Sequence, residues 1–133
     1  CRVILDYRGE DLRRSLPHKP DIIKPNIDEF CKTFFNGETG RFAAQEKMLE
    51  LAADGVASII SRGSEPLWAV VQGKVKTFKP PEITPLNTIG CGDALTAGLA
   101  AGLHRTGDLR EGIAQGIECA RLNALNIRPG AIR

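Results

Sequence analysis

Gly90-Cys91-Gly92-Asp93 is the stretch of this sequence whose residue types and spacing are best suited to chemistry. Two glycines bracket a cysteine directly ahead of a long run of small and aliphatic residues, with Leu95, Leu99 and Leu103 at i, i+4 and i+8. A glycine turn that opens a helix leaves backbone N–H groups unpaired and pointing the same way, and the helix dipole adds to their attraction for negative charge. The pattern predicts an anion site at the glycine turn. Asp93 falls in the first helical turn, beside any anion bound there. A carboxylate in that position is electrostatically awkward unless it has a task, such as taking a proton from an attacking hydroxyl.

The elements that must position this turn follow from periodicity and punctuation. Residues 3–5 read as a short buried strand closed by Asp6 and Gly9, and residues 10–16 as a helix that stops before Pro17. A second strand over 21–24 ends at Pro25, after which Asn26 caps a helix carrying Ile27, Phe30 and Phe34. Asn36-Gly37 is a turn signal, and 41–53 reads as a longer helix with Ala44, Met48 and Leu51 on one face. Residues 56–61 are a near-continuous apolar run of the kind buried on both faces of a sheet. Residues 67–71 and 74–78 flank Gln72-Gly73 as a tight hairpin. In the helix after the glycine turn, Ala94, Ala97, Gly98, Ala101 and Gly102 offer a surface for close backbone packing. Asp108 with Glu111 predicts a capping box for a last helix running to about Asn126. No repeat and no internal linker is visible.

Alternating strands and helices, then a hairpin, then two helices predict an α/β sandwich with a mostly parallel sheet. Ligands in such sheets bind at the carboxyl ends of strands. Lys24-Pro25-Asn26 and Ser61-Arg62-Gly63 both fall at such ends.

Bulk properties narrow the classes. The 133 residues suffice for one domain, and 42% hydrophobic with 26% charged residues is ordinary for a globular protein. Lys+Arg 18 against Asp+Glu 16 gives +2, with the basic residues scattered, which speaks against nucleic acid as a partner. Cys1, Cys31, Cys91 and Cys119 form no C-x-x-C pair, so the reading is reduced thiols in a cytoplasmic protein rather than zinc or dithiol chemistry. There is no membrane-spanning run or signal-peptide pattern. The abrupt start at a strand, Cys1-Arg2-Val3-Ile4-Leu5-Asp6, reads as a cut into a longer protein, with a processed terminus as the alternative. His18 and His104 have no partner pattern and read as surface residues.

Two phosphate motifs fail. Gly73-Lys74 is followed by Val75 with no glycine at position 68, so there is no P-loop. Gly90-Cys91-Gly92-Asp93-Ala94-Leu95 lacks the third glycine of the dinucleotide fingerprint, which disfavours a Rossmann oxidoreductase. A third pattern matches. Asn87-Thr88-x-Gly90-x-Gly92-Asp93, followed by Gly98, resembles the C-terminal signature of the ribokinase-type (PfkB) carbohydrate kinases. Lys24-Pro25-Asn26-x-x-Glu29 is similar to that family's K-P-N-x-x-E segment, and Asp6-x-x-Gly9 to its D-x-x-G turn. Ser61-x-Gly63 resembles the S/T-L-G turn, and Arg128-Pro129-Gly130-Ala131 the C-terminal R-x-G-A. The branch that looks nearest is that of the phosphofructokinases and tagatose-phosphate kinases.

The resemblance implies a three-layer α/β/α ribokinase-like sandwich, of which this chain is the C-terminal portion of a single domain, without the sugar-binding half and lid. It implies ATP-dependent transfer of phosphate to a hydroxyl of a sugar or sugar phosphate, with Asp93 as base and the amides of Gly90, Cys91 and Gly92 as anion hole. Asn26 and Glu29 become candidates for ordering phosphates and for holding Mg²⁺ through water, although Asn-x-x-Glu is also a good capping box. Lys24 would reach a nucleotide phosphate, Ser61 and Gly63 would let the nucleotide approach the backbone closely, and Cys119 and Asn123 would face the adenine, with a strand-end lysine, a plain turn and routine helix packing as the plainer alternatives. A monovalent cation and a homodimer are compatible with the family. Three positions depart from its pattern: Cys91 for Ala, Arg62 for an apolar residue, and Pro66 for a second Gly. A nucleotide-binding module without turnover is the alternative function.

Overall fold

β-branched residues cluster where the sheet forms. The computed structural model describes residues 1–37 and 40–131. Strands β1 (Ile4–Leu5), β2 (Ile22–Ile23) and β3 (Ala57–Arg62) are parallel, in a register that pairs Ile4 with Ile22 and Ile22 with Ala57. Parallel neighbours need crossover connections. These are helix α1 (Gly9–Ser15) between the first two strands, and α2 (Ile27–Phe35) with α3 (Arg41–Ala53) between the second and third.

β3 then turns back through Gly63-Ser64 into β4 (Glu65–Val71), and Gln72-Gly73 turns β4 into β5 (Lys74–Phe78), giving the order β1-β2-β3-β4-β5. The predicted hairpin is present, with φ of 53° at Gln72 and 70° at Gly73 as a tight hairpin turn demands. A second hairpin, β3–β4, was not visible in the sequence because β3 ends on Ser61-Arg62 and β4 begins on Glu65, polar residues on both sides of the turn. The sheet is therefore mixed rather than mostly parallel: two pairings are parallel and two antiparallel.

Leu12, Ile23, Phe30, Ala44, Met48, Leu51, Ile60, Trp68 and Val70 form one core, which joins α1, α2 and α3 to one face of the sheet. Phe30 is its centre, fully buried, with its ring 4.8 Å from that of Phe34. Ile22, Ile59, Leu67 and Ala69, on the alternate face, are buried as well, as a near-continuous apolar run predicts.

The chain divides into two compact units, Cys1–Lys79 and Pro80–Arg133. The boundary falls at Pro80-Pro81, where two residues without N–H groups end strand pairing. The second unit is built on α4 (Cys91–Thr106) and α5 (Leu109–Ala124). Gly98 and Gly102 are buried against Gly112 and Gly116. A Cβ on Gly98 would lie 2.6 Å from the Gln115 carbonyl oxygen, and one on Gly116 would lie 2.7 Å from that of Leu95. Close packing thus uses the glycines, whereas Ala97 and Ala101 are exposed, because the helix turns them away from the Leu95-Leu99-Leu103 face. Asp108 caps α5 by accepting from the amides of Arg110 and Glu111. The reciprocal half of the expected box is missing, since the Asp108 amide donates instead to Thr106 Oγ1. α5 ends at Ala124 rather than 126, its last turn tied by Asn126 Nδ2 donating to the Leu122 carbonyl.

Candidate active site

Gly90 is the N-cap of α4 and has φ 77°, a left-handed conformation that costs glycine little. Because no side chain caps this end, the orphan donors of the first turn stay available. The Cys91 amide makes a long bond of 3.3 Å to the Thr88 carbonyl and closes the turn. The amides of Gly90, Gly92 and Asp93 have no acceptor among the described residues. The free donors are thus not quite the three expected, since the Asp93 amide joins them and the Cys91 amide is partly engaged.

Gly92 is informative for a different reason. Its φ lies outside the left-handed region and a Cβ there would meet nothing within 4 Å, so neither conformation nor internal packing requires glycine. The missing side chain leaves room for something to approach the backbone from solvent. Asp93 is exposed in the first turn of α4, and its carboxylate has no hydrogen-bond or ion-pair partner among the described residues.

Asn123 and Cys119 both pack within the α4–α5 pair. Asn123 is 1% exposed and its amide is fully engaged within the second unit, donating to Ile89 O and Cys91 Sγ and accepting from Gly130 N–H. Cys119 packs where a Cβ on Gly98 would come within 2.8 Å of its sulfur, and that sulfur lies 3.8 Å from Gln115 Nε2. Asn123 is thus buried and Cys119 half-buried in the α4–α5 pair.

In the first unit, a parallel bridge pairs Asn26 with Ser61, and the Ser61 amide donates to Pro25 O, so the two strand-end motifs adjoin. Asn26 and Glu29 form a full capping box: Oδ1 accepts from Glu29 N–H at 2.9 Å, and Glu29 Oε2 accepts from Asn26 N–H at 3.0 Å. The second carboxylate oxygen, Oε1, accepts from Arg8 at 3.1 Å. Gly63, with φ 65° and open space around it, is needed for its turn. Lys24 is neither a solvated lysine nor a free one: it is 3% exposed and lies 3.3 Å from Asp6. The parallel register of β1 and β2 brings this pair together, which strand-by-strand reading of the sequence misses.

Arg62 is explained by Trp68. Its guanidinium stacks 4.2 Å from the ring centroid, donates to Pro66 O and pairs with Glu65. Arg62, Arg41, Glu65 and Trp68 also line a cavity of about 270 Å³ with Ile27 and Ala44. Of the predicted motifs, the Ser61-Arg62-Gly63 turn borders it through Arg62 and the Lys24–Glu29 segment through Ile27.

A model of the pfkB family carbohydrate kinases matches residues 1–131. The chain belongs to the PfkB carbohydrate kinase family. It is 37% identical over 101 residues to the 1-phosphofructokinase of Rhodobacter capsulatus, covering 74% of this chain and 32% of that protein. It is 31% identical to the tagatose-6-phosphate kinase of Staphylococcus epidermidis, covering 97% of this chain and 43% of the relative. The chain thus spans less than half the length of these relatives. In fold it is similar to phosphofructokinase-2 from Escherichia coli in complex with potassium, with a TM-score of 0.81 at 23% identity, covering 96% of this chain and 43% of the other. Ribokinase from Thermotoga maritima gives 0.75 at 18% identity, covering 96% and 44%. Among the described residues of this PfkB chain no helix is long and apolar enough to cross a membrane, and no three His, Cys, Asp or Glu side chains converge to hold a metal.

Proposed function

We propose that this PfkB chain carries the phosphate-handling part of an ATP-dependent kinase acting on a hydroxyl of a sugar or sugar phosphate. The observation that carries this reading is the Gly92 step. Nothing in the fold requires glycine there, the amides of Gly90, Gly92 and Asp93 are unpaired among the described residues, and an unpartnered carboxylate follows. Asp93 would accept the proton of the acceptor hydroxyl as its oxygen attacks the terminal phosphorus and ADP leaves. The amides would stabilise the charge on the transferring group, and positioning with electrostatics is most of what this reaction needs.

A Mg²⁺ ion fits the donor set as an outer-sphere partner of Glu29, whose carboxylate has two of its roughly four lone-pair sites in use. When bound, the ion would neutralise phosphate charge. Asn26, Ser61 and Gly63 would lie along the phosphates. A phosphate reaching for Lys24 would have to compete with Asp6. The names of the relatives make sugar phosphates the first acceptors to try, and the four free cysteines fit a cytoplasmic setting.

The test is phosphoryl transfer from ATP–Mg²⁺ across a panel of sugars and sugar phosphates, with calorimetry of ATP–Mg²⁺ binding alongside. Asp93→Asn should lower turnover by about a hundredfold to ten-thousandfold while binding persists. Near-normal turnover in that variant would sink the assignment. The second reading, a nucleotide-binding module, is favoured by the short span relative to the relatives. Binding without transfer to any acceptor would select it.

A further inference from the structure

Resting on the phosphate-site reading of the glycine turn, we infer that Asn123 is a positioning residue that aims the Gly90 amide. Its side chain joins three segments. Nδ2 donates to Ile89 O at 2.8 Å and to Cys91 Sγ at 3.4 Å, on the two sides of Gly90, and Oδ1 accepts from Gly130 N–H at 2.7 Å. The amide orientation is fixed by these partners. A flipped side chain would set oxygen against the Ile89 carbonyl and NH₂ against the Gly130 amide.

The effect on the site follows from peptide planarity. Ile89 C=O and Gly90 N–H belong to one trans peptide and point in opposite directions. Holding the carbonyl on Asn123 therefore directs the unpaired Gly90 N–H away from α5. The Gly92 and Asp93 amides need no such help, because the helix itself sets their planes. Gly90 is the one donor of the three that precedes the helix, and glycine is the residue least able to hold its own conformation. Buried Asn123 supplies the constraint that the backbone lacks. The same amide ties the Arg128-Pro129-Gly130 turn to the site, which gives that distant motif a part in it.

The experiment uses the ¹⁵N-labelled chain and follows amide resonances on addition of ATP–Mg²⁺. In the natural sequence the Gly90, Gly92 and Asp93 amides should shift together. In Asn123→Ala, with Leu99 and Ile113 unmoved as markers of the folded helix pair, heteronuclear NOEs at residues 89–91 and at Gly130 should fall. The Gly90 response should vanish, and affinity should weaken about tenfold to a hundredfold, the loss of one hydrogen bond to a charged ligand. Asn123→Asp serves if the alanine variant does not fold. Its ionised form cannot donate to Ile89 O but its protonated form can, so turn order should be lost near neutral pH and recover as the carboxyl protonates toward about pH 4. Unchanged order at residues 89–91 in folded Asn123→Ala, or order in Asn123→Asp that ignores pH, overturns the inference. If the natural sequence shows no amide shifts at all, the phosphate reading fails. The order measurements then still decide whether Asn123 holds the turn.

Discussion

Gly92 and Gly90 are both glycines in one motif, yet they are glycine for different reasons. Gly90 has φ 77° and a Cβ there would come within 3.3 Å of Pro129, so the fold explains it. Gly92 has neither constraint, and the two readings of the motif separate at this residue. Gly92→Ala should leave the melting temperature unchanged or slightly raised, as alanine is the better helix former, while ATP–Mg²⁺ binding falls. A clear loss of thermal stability would return Gly92 to a structural role. At Lys24 the same reasoning concerns charge. The ammonium is buried and Asp6, partly exposed, is its partner, so removing either one differs from removing the other. Asp6→Asn leaves a buried cation unpaired and should destabilise by about 1–3 kcal/mol. Lys24→Met removes the buried charge itself and should be near neutral in a denaturant melt. Equal losses would show that the pair is not what holds these side chains.

At the scale of elements, the α4–α5 pair holds the glycine turn. Its helices approach closely because Gly98, Gly102, Gly112 and Gly116 bring backbone against backbone, with Leu95, Leu99 and Ile113 filling around them. The contacts that a Cβ on Gly116 would make are to the Leu95 carbonyl and the Leu99 amide, which are not flexible side-chain ends. Gly116→Ala should therefore force the helices apart. Overpacking costs about 1–3 kcal/mol and the gain in helix propensity returns about 1 kcal/mol, so the net effect in a thermal melt is a loss of up to about 2 kcal/mol. A stabilised variant would refute this packing. α2 behaves differently, since its capping box and the Phe30 anchor fix it locally, and Glu29 is ordered by the cap whether or not a metal approaches.

At the scale of the whole molecule, two compact units share the predicted residues between them. The first holds Lys24, Asn26, Glu29, Ser61 and Gly63, and the second holds Gly90, Cys91, Gly92, Asp93, Cys119 and Asn123. The PfkB relatives are more than twice as long as the matched region, so the acceptor's recognition is a question for the phosphoryl-transfer panel. Helix positions, the Gln72-Gly73 and Gly90 turns and the family itself were legible in the sequence. Local signals carry them: Pro17, Pro25, the Asn26–Glu29 box, Gln72-Gly73 and the Gly90-Cys91-Gly92-Asp93 motif each act within a few residues. The β3–β4 hairpin was not legible, because Gly63-Ser64 looks like any strand-end turn until Ile60 is seen opposite Trp68. The ion pair of Lys24 with Asp6, the stacking of Arg62 on Trp68 and the burial of Asn123 were equally hidden. Each joins residues that are distant in sequence or separated by a turn, and only the folded chain sets their spacing. The sequence alone determined that a glycine turn opens a helix with a carboxylate in its first turn. The tertiary structure decided which amides of that turn stay free and what holds them, because an amide's direction depends on partners 30 and more residues away.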